Sequence, residues 1–451
     1  MNEALIERYR CPEKFVQLEL KGQLSADTGF FRLGIATCYG RSAAGFRSSR
    51  ADTALYDVAS DVTTHDSAVV LPFNPSEVIE NLRLERYENR SGYSARSRWK
   101  KSLKGVYYAV RPWMHLNLRQ KVQRAYLTGW RRIAFPHWPV DTTVEDLNEQ
   151  LLLLCMKAKG VRAVPFVWFW PDGARACVVV SHDVEEQRGL DFCTELMDMD
   201  DSVGIRASFD LIPEGRYQIS TPLVQAFRDR GFEVNIHDLN HDGRLFRDNN
   251  EFSRRAVRIN RYGKMYGATG FRSGALYRNQ DWFGALDFSF DMSVPNVAHL
   301  DPQRGGCCTV NPYFIGKILE IPLTTTQDYM LFHLLGDFSL DLWTKQTSAI
   351  IEENGLISFL VHPDYIIESR ARDTYRRLLD YLCHLRSSER LWFALPGEID
   401  EWWRARRKMR VVERDGEWRI EGSGAERAQL AFARAAGDHV EYEVGVRGRA
   451  A

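Results

Sequence analysis

Five polar clusters follow apolar runs between residues 177 and 363 of this 451-residue chain, and their side chains are of types that could move a proton, bind a metal or hold a carboxylate. The first, Ser181-His182-Asp183-Val184-Glu185, follows Cys177-Val178-Val179-Val180. In an extended segment residues two apart face the same way, so Asp183 and Glu185 stand together, which is costly unless a cation or protons are shared. Taken alone, with Glu186 beside it, this cluster reads better as a solvated acidic loop. The second cluster, His237-Asp238-Leu239-Asn240-His241, follows Val234-Asn235-Ile236. Two histidines four apart share a face of a helical turn, with roughly 6 Å of rise between them, and both imidazoles then reach one metal. Two histidines, one carboxylate and a position left for water form a recurring catalytic-metal set. A lone histidine is more often a core residue. A pair at a strand end, opposite an acidic strand end, puts the metal site ahead.

The third cluster, Gly270-Phe271-Arg272-Ser273-Gly274, offers an arginine that can hold a carboxylate by two hydrogen bonds. The fourth is Phe290-Asp291-Met292-Ser293, and the fifth is Phe359-Leu360-Val361-His362-Pro363. A histidine closing an apolar strand is placed to act as a general acid. Each has a plainer reading: Arg272 in a structural ion pair, Asp291 as a helix cap, His362 plugging a core.

The elements that must position these residues alternate. Short β-type runs at 177–180, 207–212, 234–236, 267–271, 288–290, 318–323, 357–361 and 391–394 are separated by helical patterns such as 189–199, 222–230 and 373–385. Strands alternating with helices imply an α/β fold with a parallel sheet, here with strands enough to curl into a barrel, whose chemistry collects at strand ends. Residues 1–95 read as a strand-rich region, with a short helix entered at Asn74-Pro75. Residues 96–165 read as a basic helical connector, 166–400 as the barrel, and 401–451 as a small α/β appendage. In the appendage Asp415-Gly416 signals a hairpin, 425–436 a helix and 439–444 a strand.

The 60 basic and 60 acidic residues balance, so no global field draws the chain to nucleic acid, and no such partner is expected. The first residues lack a secretory layout and no run approaches the ~20 apolar residues of a membrane helix, so the expectation is cytoplasmic. The eight cysteines form no C-x-x-C pair, which removes zinc-ribbon and thioredoxin readings. The basic aromatic stretch 96–137 is a candidate for peripheral membrane contact, weighed against long cationic side chains lining the wet face of a packed helix.

In order along the chain, D-x-[DE], H-x-x-x-H, G-F-R, F-D and H-P resemble the five motifs of the polysaccharide deacetylase family, the NodB-homology carbohydrate esterases. The resemblance covers about residues 172–400 and extends to the strand Ala207-Ser208-Phe209. It implies a distorted (β/α) barrel in which Asp183 is the general base, Arg272 orients it, and His362 is the acid, oriented by Asp291. It also implies one divalent ion on Glu185, His237 and His241, with Zn²⁺ expected and Co²⁺, Ni²⁺ or Fe²⁺ able to replace it. Asp183-Val184-Glu185 departs from the adjacent aspartates of many members and looks like a variant branch. Arg272-Ser273-Gly274-Ala275 lacks the proline many members carry two after the arginine. Backbone N–H groups near Arg272-Ser273-Gly274 are expected to steady the oxyanion.

The activity implied is removal of an acetyl group from an N-acetylated sugar or saccharide conjugate. The alternatives are hydrolysis of a non-sugar C–N bond and a non-catalytic carbohydrate-binding relative; the intact acid, base and metal residues argue against the last. Tyr277, Trp282 and Tyr329 are candidates to stack on sugar faces or to fill the core.

Overall fold

The computed structural model describes residues 1–88 and 127–445. The chain divides into two compact units, one of residues 1–87, 141–176 and 401–451, the other of residues 88–140 and 177–400.

In the first unit Leu18–Leu20, Ala68–Leu71 and Thr63–His65 form a three-stranded sheet, and Gly29–Leu33 with Ala36–Gly40 a hairpin. Asn74 caps the helix Pro75–Arg83 by accepting from Ser76 N–H. The hairpin expected at Asp415-Gly416 joins Arg410–Arg414 to Glu417–Glu421, with φ of 54° and 74° at the two turn residues. The helix expected over 425–436 is absent. Leu430–Ala436 is a strand that pairs antiparallel with Ala163–Val167 on one side and His439–Val444 on the other. Its alanines favour a helix locally, but two hydrogen-bonded neighbours outweigh that preference. Through this pairing, residues expected as a connector and an appendage group with the N-terminal region.

The second unit carries the barrel-like sheet. Its strands are β1 (Ala176–Val184), β2 (Ser208–Leu211), β3 (Glu233–His237), β4 (Gly270–Arg272), β5 (Phe290–Asp291), β6 (Tyr313–Ile315), β7 (Ile318–Glu320), β8 (Leu356–Leu360) and β9 (Leu391–Phe393). Their spatial order is β6-β7-β5-β4-β3-β2-β1-β8, with β9 also on β1. All neighbours on the path are parallel except β6 and β7. Every residue of β1 is buried, as a strand covered on both faces must be, and this run supplies the Val178-Val179-Val180 core.

The sheet is curled and its path is open, ending at β6 on one side and β8 on the other, with a gap between β8 and the backbone that follows β5. Irregular backbone at 323–325 spans that gap: Leu323 N–H donates to Val294, and Asn296 N–H to Leu323. On the other side Thr325 N–H and Oγ1 both donate to the Ser358 carbonyl, and Thr324 Oγ1 to that of Leu356. Between strands, helices start on conventional signals. Ser220 caps Thr221–Asp229 and Asp248 caps Asn249–Tyr266, which ends at Gly267 with φ of 60°. Pro363 opens the short helix Pro363–Ile366 directly after β8.

The stretch 96–137 falls outside the described residues up to 126. In its described end, Trp130 and Trp138 meet edge-on at 4.9 Å and pack on a cluster of Leu127, Leu300, Met330 and Leu334. Among the described residues no helix is long and apolar enough to cross a membrane.

Candidate active site and metal centre

Parallel strands bring the polar clusters to one end of the sheet. Asp183 lies one residue before the end of β1, opposite Asp210 on β2; Arg272 closes β4, opposite His237 at the end of β3. His362 follows β8 by two residues. Asp183, His237, His241, Arg272 and His362 are all buried.

Arg272 holds Asp183. Its Nη1 donates to Asp183 Oδ1 at 2.8 Å and to Ser181 Oγ at 2.9 Å, while Nε donates to the Met292 carbonyl at 3.0 Å. Asp183 Oδ2 is left facing His237 Nε2 at 3.5 Å and His362 Nε2 at 4.0 Å. Burial alone would raise the Asp183 carboxyl. Arg272, then His237 and His362, overcome it and hold the group at about 2.

Asp210 was not singled out from the sequence. Its Oδ2 lies 3.0 Å from Arg272 Nη1 but outside hydrogen-bonding geometry. Burial, with the Asp183 charge adding to it, outweighs Arg272 and pushes Asp210 well above the usual carboxylate range. The two facing carboxyls are thus pushed in opposite directions, Asp183 down and Asp210 up. The alternation of Ser208 and Asp210 along β2 was the available signal.

The histidine pair does not sit on a helical turn. β3 ends at His237, and Asp238 and His241 take φ of 55° and 53°. This irregular loop still brings the two imidazole centroids to 5.0 Å. Gly274 allows the packing, since a Cβ there would overlap Asp238 and the His241 ring. His237 Nδ1 lies 3.2 Å from the Arg272 carbonyl oxygen. A carbonyl only accepts, so Nδ1 carries the proton and the Nε2 lone pair faces the site. That Nε2 is buried without a hydrogen-bond partner. Burial lowers His237 to about 4, which keeps it neutral and ready to donate that lone pair.

His241 Nε2 meets Glu185 Oε1 at 3.0 Å. Burial works against the Glu185 charge, but His241 and His362 bring its carboxyl well below the ordinary range. Ligand atoms of Glu185, His237 and His241 all lie within 4.8 Å of one another. One neutral nitrogen aimed inward, a second imidazole and an ionised carboxylate suit a divalent ion with nitrogen and oxygen ligands.

At His362 the carboxylate partner is not the expected one. His362 Nδ1 donates to Asp328 Oδ1 at 2.6 Å, and His362 N–H to Asp328 Oδ2 at 2.8 Å. Asp291, expected to orient His362, is engaged elsewhere: it accepts from Ser293 N–H and Ser293 Oγ, both at 2.9 Å. Across the sheet it faces Glu320, whose carboxyl is pushed well above its usual value by burial and by Asp291. Burial would lower His362, but Asp328, then Glu185 and Asp183, raise it to about 9. Asp328 begins the helical segment 328–335 after β7, with no strand-end pattern to mark it.

Ser273 N–H, one of the expected oxyanion donors, is already given to Ser293 Oγ at 2.8 Å. Of the three aromatic candidates, Tyr329 stands near His362, its ring 5.3 Å from that of Tyr365, which lies 4.9 Å from the His362 ring. Trp282 packs on Phe246 and Phe252, and Tyr277 is buried.

No protein-family model and no curated protein matches the chain. Solved structures do. A protein described as a polysaccharide deacetylase from Mycobacterium smegmatis is 16% identical with a TM-score of 0.43, over 53% of this chain and 93% of that one. PuuE allantoinase is 15% identical with a TM-score of 0.41, over 52% and 92%. Peptidoglycan deacetylase PdaC from Bacillus subtilis is 11% identical with a TM-score of 0.34, over 51% and 93%. About half of this chain is thus similar, at low identity, to polysaccharide deacetylases and an allantoinase.

Proposed function

We propose that this chain is a divalent-metal-dependent hydrolase that removes the acetyl group from an N-acetylated sugar or saccharide conjugate. The observation that carries the reading is a single buried site with Asp183 Oδ2 between His237 Nε2 at 3.5 Å and His362 Nε2 at 4.0 Å. Base, acid and three ligand-type side chains meet there, and the ordered motifs at strand ends point to the same chemistry.

Glu185, His237 and His241 would hold the ion. When bound, a divalent ion such as Zn²⁺ polarises the acyl oxygen and acidifies a water molecule. Asp183 carries the base role: Arg272 occupies Oδ1, so Oδ2 takes the proton from water as its oxygen attacks the acyl carbon. His362, protonated at neutral pH, gives the Nε2 proton to the departing nitrogen as the C–N bond breaks. Acetate and a free amine leave. Asp328 keeps His362 charged and fixes its ring. Ser181 and Asp210 complete the surroundings of Arg272.

The test is acetate and amine release from N-acetylated saccharides by metal-loaded chain, with Asp183→Asn as the control. Turnover of a non-sugar amide alone would favour the other hydrolase reading.

A further inference from the structure

The segment His362-Pro363-Asp364-Tyr365 reaches Glu185 at two points that the chemistry above does not use. Tyr365 Oη donates to Glu185 Oε2 at 3.0 Å. One residue earlier, Asp364 Oδ2 accepts the Glu185 N–H at 2.9 Å and the Glu186 N–H at 3.4 Å. Glu185 Oε1 faces the other way, 3.0 Å from His241 Nε2 and 3.9 Å from His362 Nε2. One carboxylate oxygen is therefore engaged by a phenol while its twin points at the ligand cluster. Asp364 comes this close because residue 189 has no side chain: a Cβ on Gly189 would overlap the Asp364 carboxylate. Pro363 begins the one-turn helix Pro363–Ile366, so the acid and both Glu185 contacts ride on one short rigid element.

We infer that Tyr365 and Asp364 are positioning residues that hold Glu185 as a one-oxygen metal ligand, an inference that rests on the metal-site reading above. A carboxylate with both oxygens free can chelate, and its second oxygen then fills a coordination position that water or the acyl oxygen needs. Tying Oε2 to Tyr365 prevents this and leaves Oε1 to the ion. Asp364 fixes the backbone from which that side chain is launched. Outer contacts of this kind typically change metal affinity about 10- to 100-fold when removed. The arrangement also gives a reason for Glu at 185: the side chain spans from its Asp364-anchored backbone to a tyrosine on one side and a histidine on the other.

Titration of the metal-free full-length chain with Co²⁺, followed by visible absorption, tests this without substrate. The unaltered chain is expected to bind one Co²⁺ with the strong absorption of a four-coordinate ion. Tyr365→Phe is expected to bind about 10- to 100-fold more weakly, with a weaker absorption as the second oxygen enters. Gly189→Ala displaces Asp364 while leaving the phenol in place and is expected to weaken binding in the same direction. It carries the test if circular dichroism finds Tyr365→Phe unfolded. Glu185→Ala separates the two ideas. If the unaltered chain binds no Co²⁺, the metal reading falls. If it binds, and Glu185→Ala loses the ion while Tyr365→Phe and Gly189→Ala match the unaltered chain in affinity and spectrum, the positioning role is overturned and the metal site stands.

Discussion

Two sides of one site push the same residue type in opposite directions. His237 and His362 are both buried, and burial disfavours charge on either ring. Yet His237 is lowered to about 4 and His362 is raised to about 9. The difference lies in what holds Nδ1. At His237 it is a neutral carbonyl, which fixes the tautomer without stabilising a positive charge. At His362 it is the Asp328 carboxylate at 2.6 Å, whose charge overrides burial. A carbonyl partner leaves the ring neutral, as the proposed ligand role needs, and a carboxylate partner keeps it charged, as the proposed acid role needs.

Breaking the ligand side should have the largest effect. Replacing His237 and His241 together with alanine is expected to abolish stoichiometric metal binding and with it turnover, read by metal analysis and acetate release. Retention of full metal would place the ion elsewhere.

Asp183→Asn comes next: metal content is expected to persist while kcat falls about 10²- to 10⁴-fold, the usual range for a lost general base. Loss of metal with turnover per bound ion unchanged would instead make Asp183 a ligand.

The acid side is sharpened by pH. The working form of His362 is protonated, present below its folded pKa and lost as pH rises through about 9. Asp328→Asn removes the largest raising charge while Glu185 and Asp183 remain, so the alkaline limb of kcat is expected to move down from about 9. Asp291→Asn should leave the limb in place and cost about 1–3 kcal/mol of stability, because it disturbs a buried carboxyl network. A shifted limb in Asp291→Asn, and none in Asp328→Asn, would reverse the assignment.

The smallest effect is expected away from the site. Gly416 turns the hairpin with φ of 74° and has open space around it, so Gly416→Ala should cost only the left-handed backbone penalty, about 1 kcal/mol by thermal unfolding. Metal binding should not change.

Much of this was legible in the residues, for reasons that also explain the misses. The apolar run Cys177-Val178-Val179-Val180 has the pattern of a buried strand, and the acidic cluster after it, a solvated loop when taken alone, continues that strand and is buried. Each later cluster repeated that pattern, so strand ends could be aligned without knowing their spacing in space. The hairpin at Asp415-Gly416 was legible because the turn itself demands positive φ. Asp328 was not, since it reaches His362 from the start of a short helical segment, 34 residues away, with no strand-end pattern to give its direction. Asp291 was a reasonable candidate by order along the chain, but its own turn, through Ser293, captures the carboxylate. The His237–His241 spacing suggested the right neighbours through the wrong geometry: positive φ at both Asp238 and His241 builds a loop where the spacing alone implied a helix. The alanine-rich 425–436 failed for the converse reason, because local preference is blind to the strands that flank it.

The most direct test of the account is acetate release from a panel of N-acetylated saccharides by full-length chain, first stripped of metal and then reloaded with one equivalent of Zn²⁺. The account predicts no acetate from the stripped protein. Reloading should restore release of acetate and free amine in equal amounts. Full activity in the stripped protein, or a reloaded protein that holds one ion and releases acetate from none of the saccharides, would contradict it.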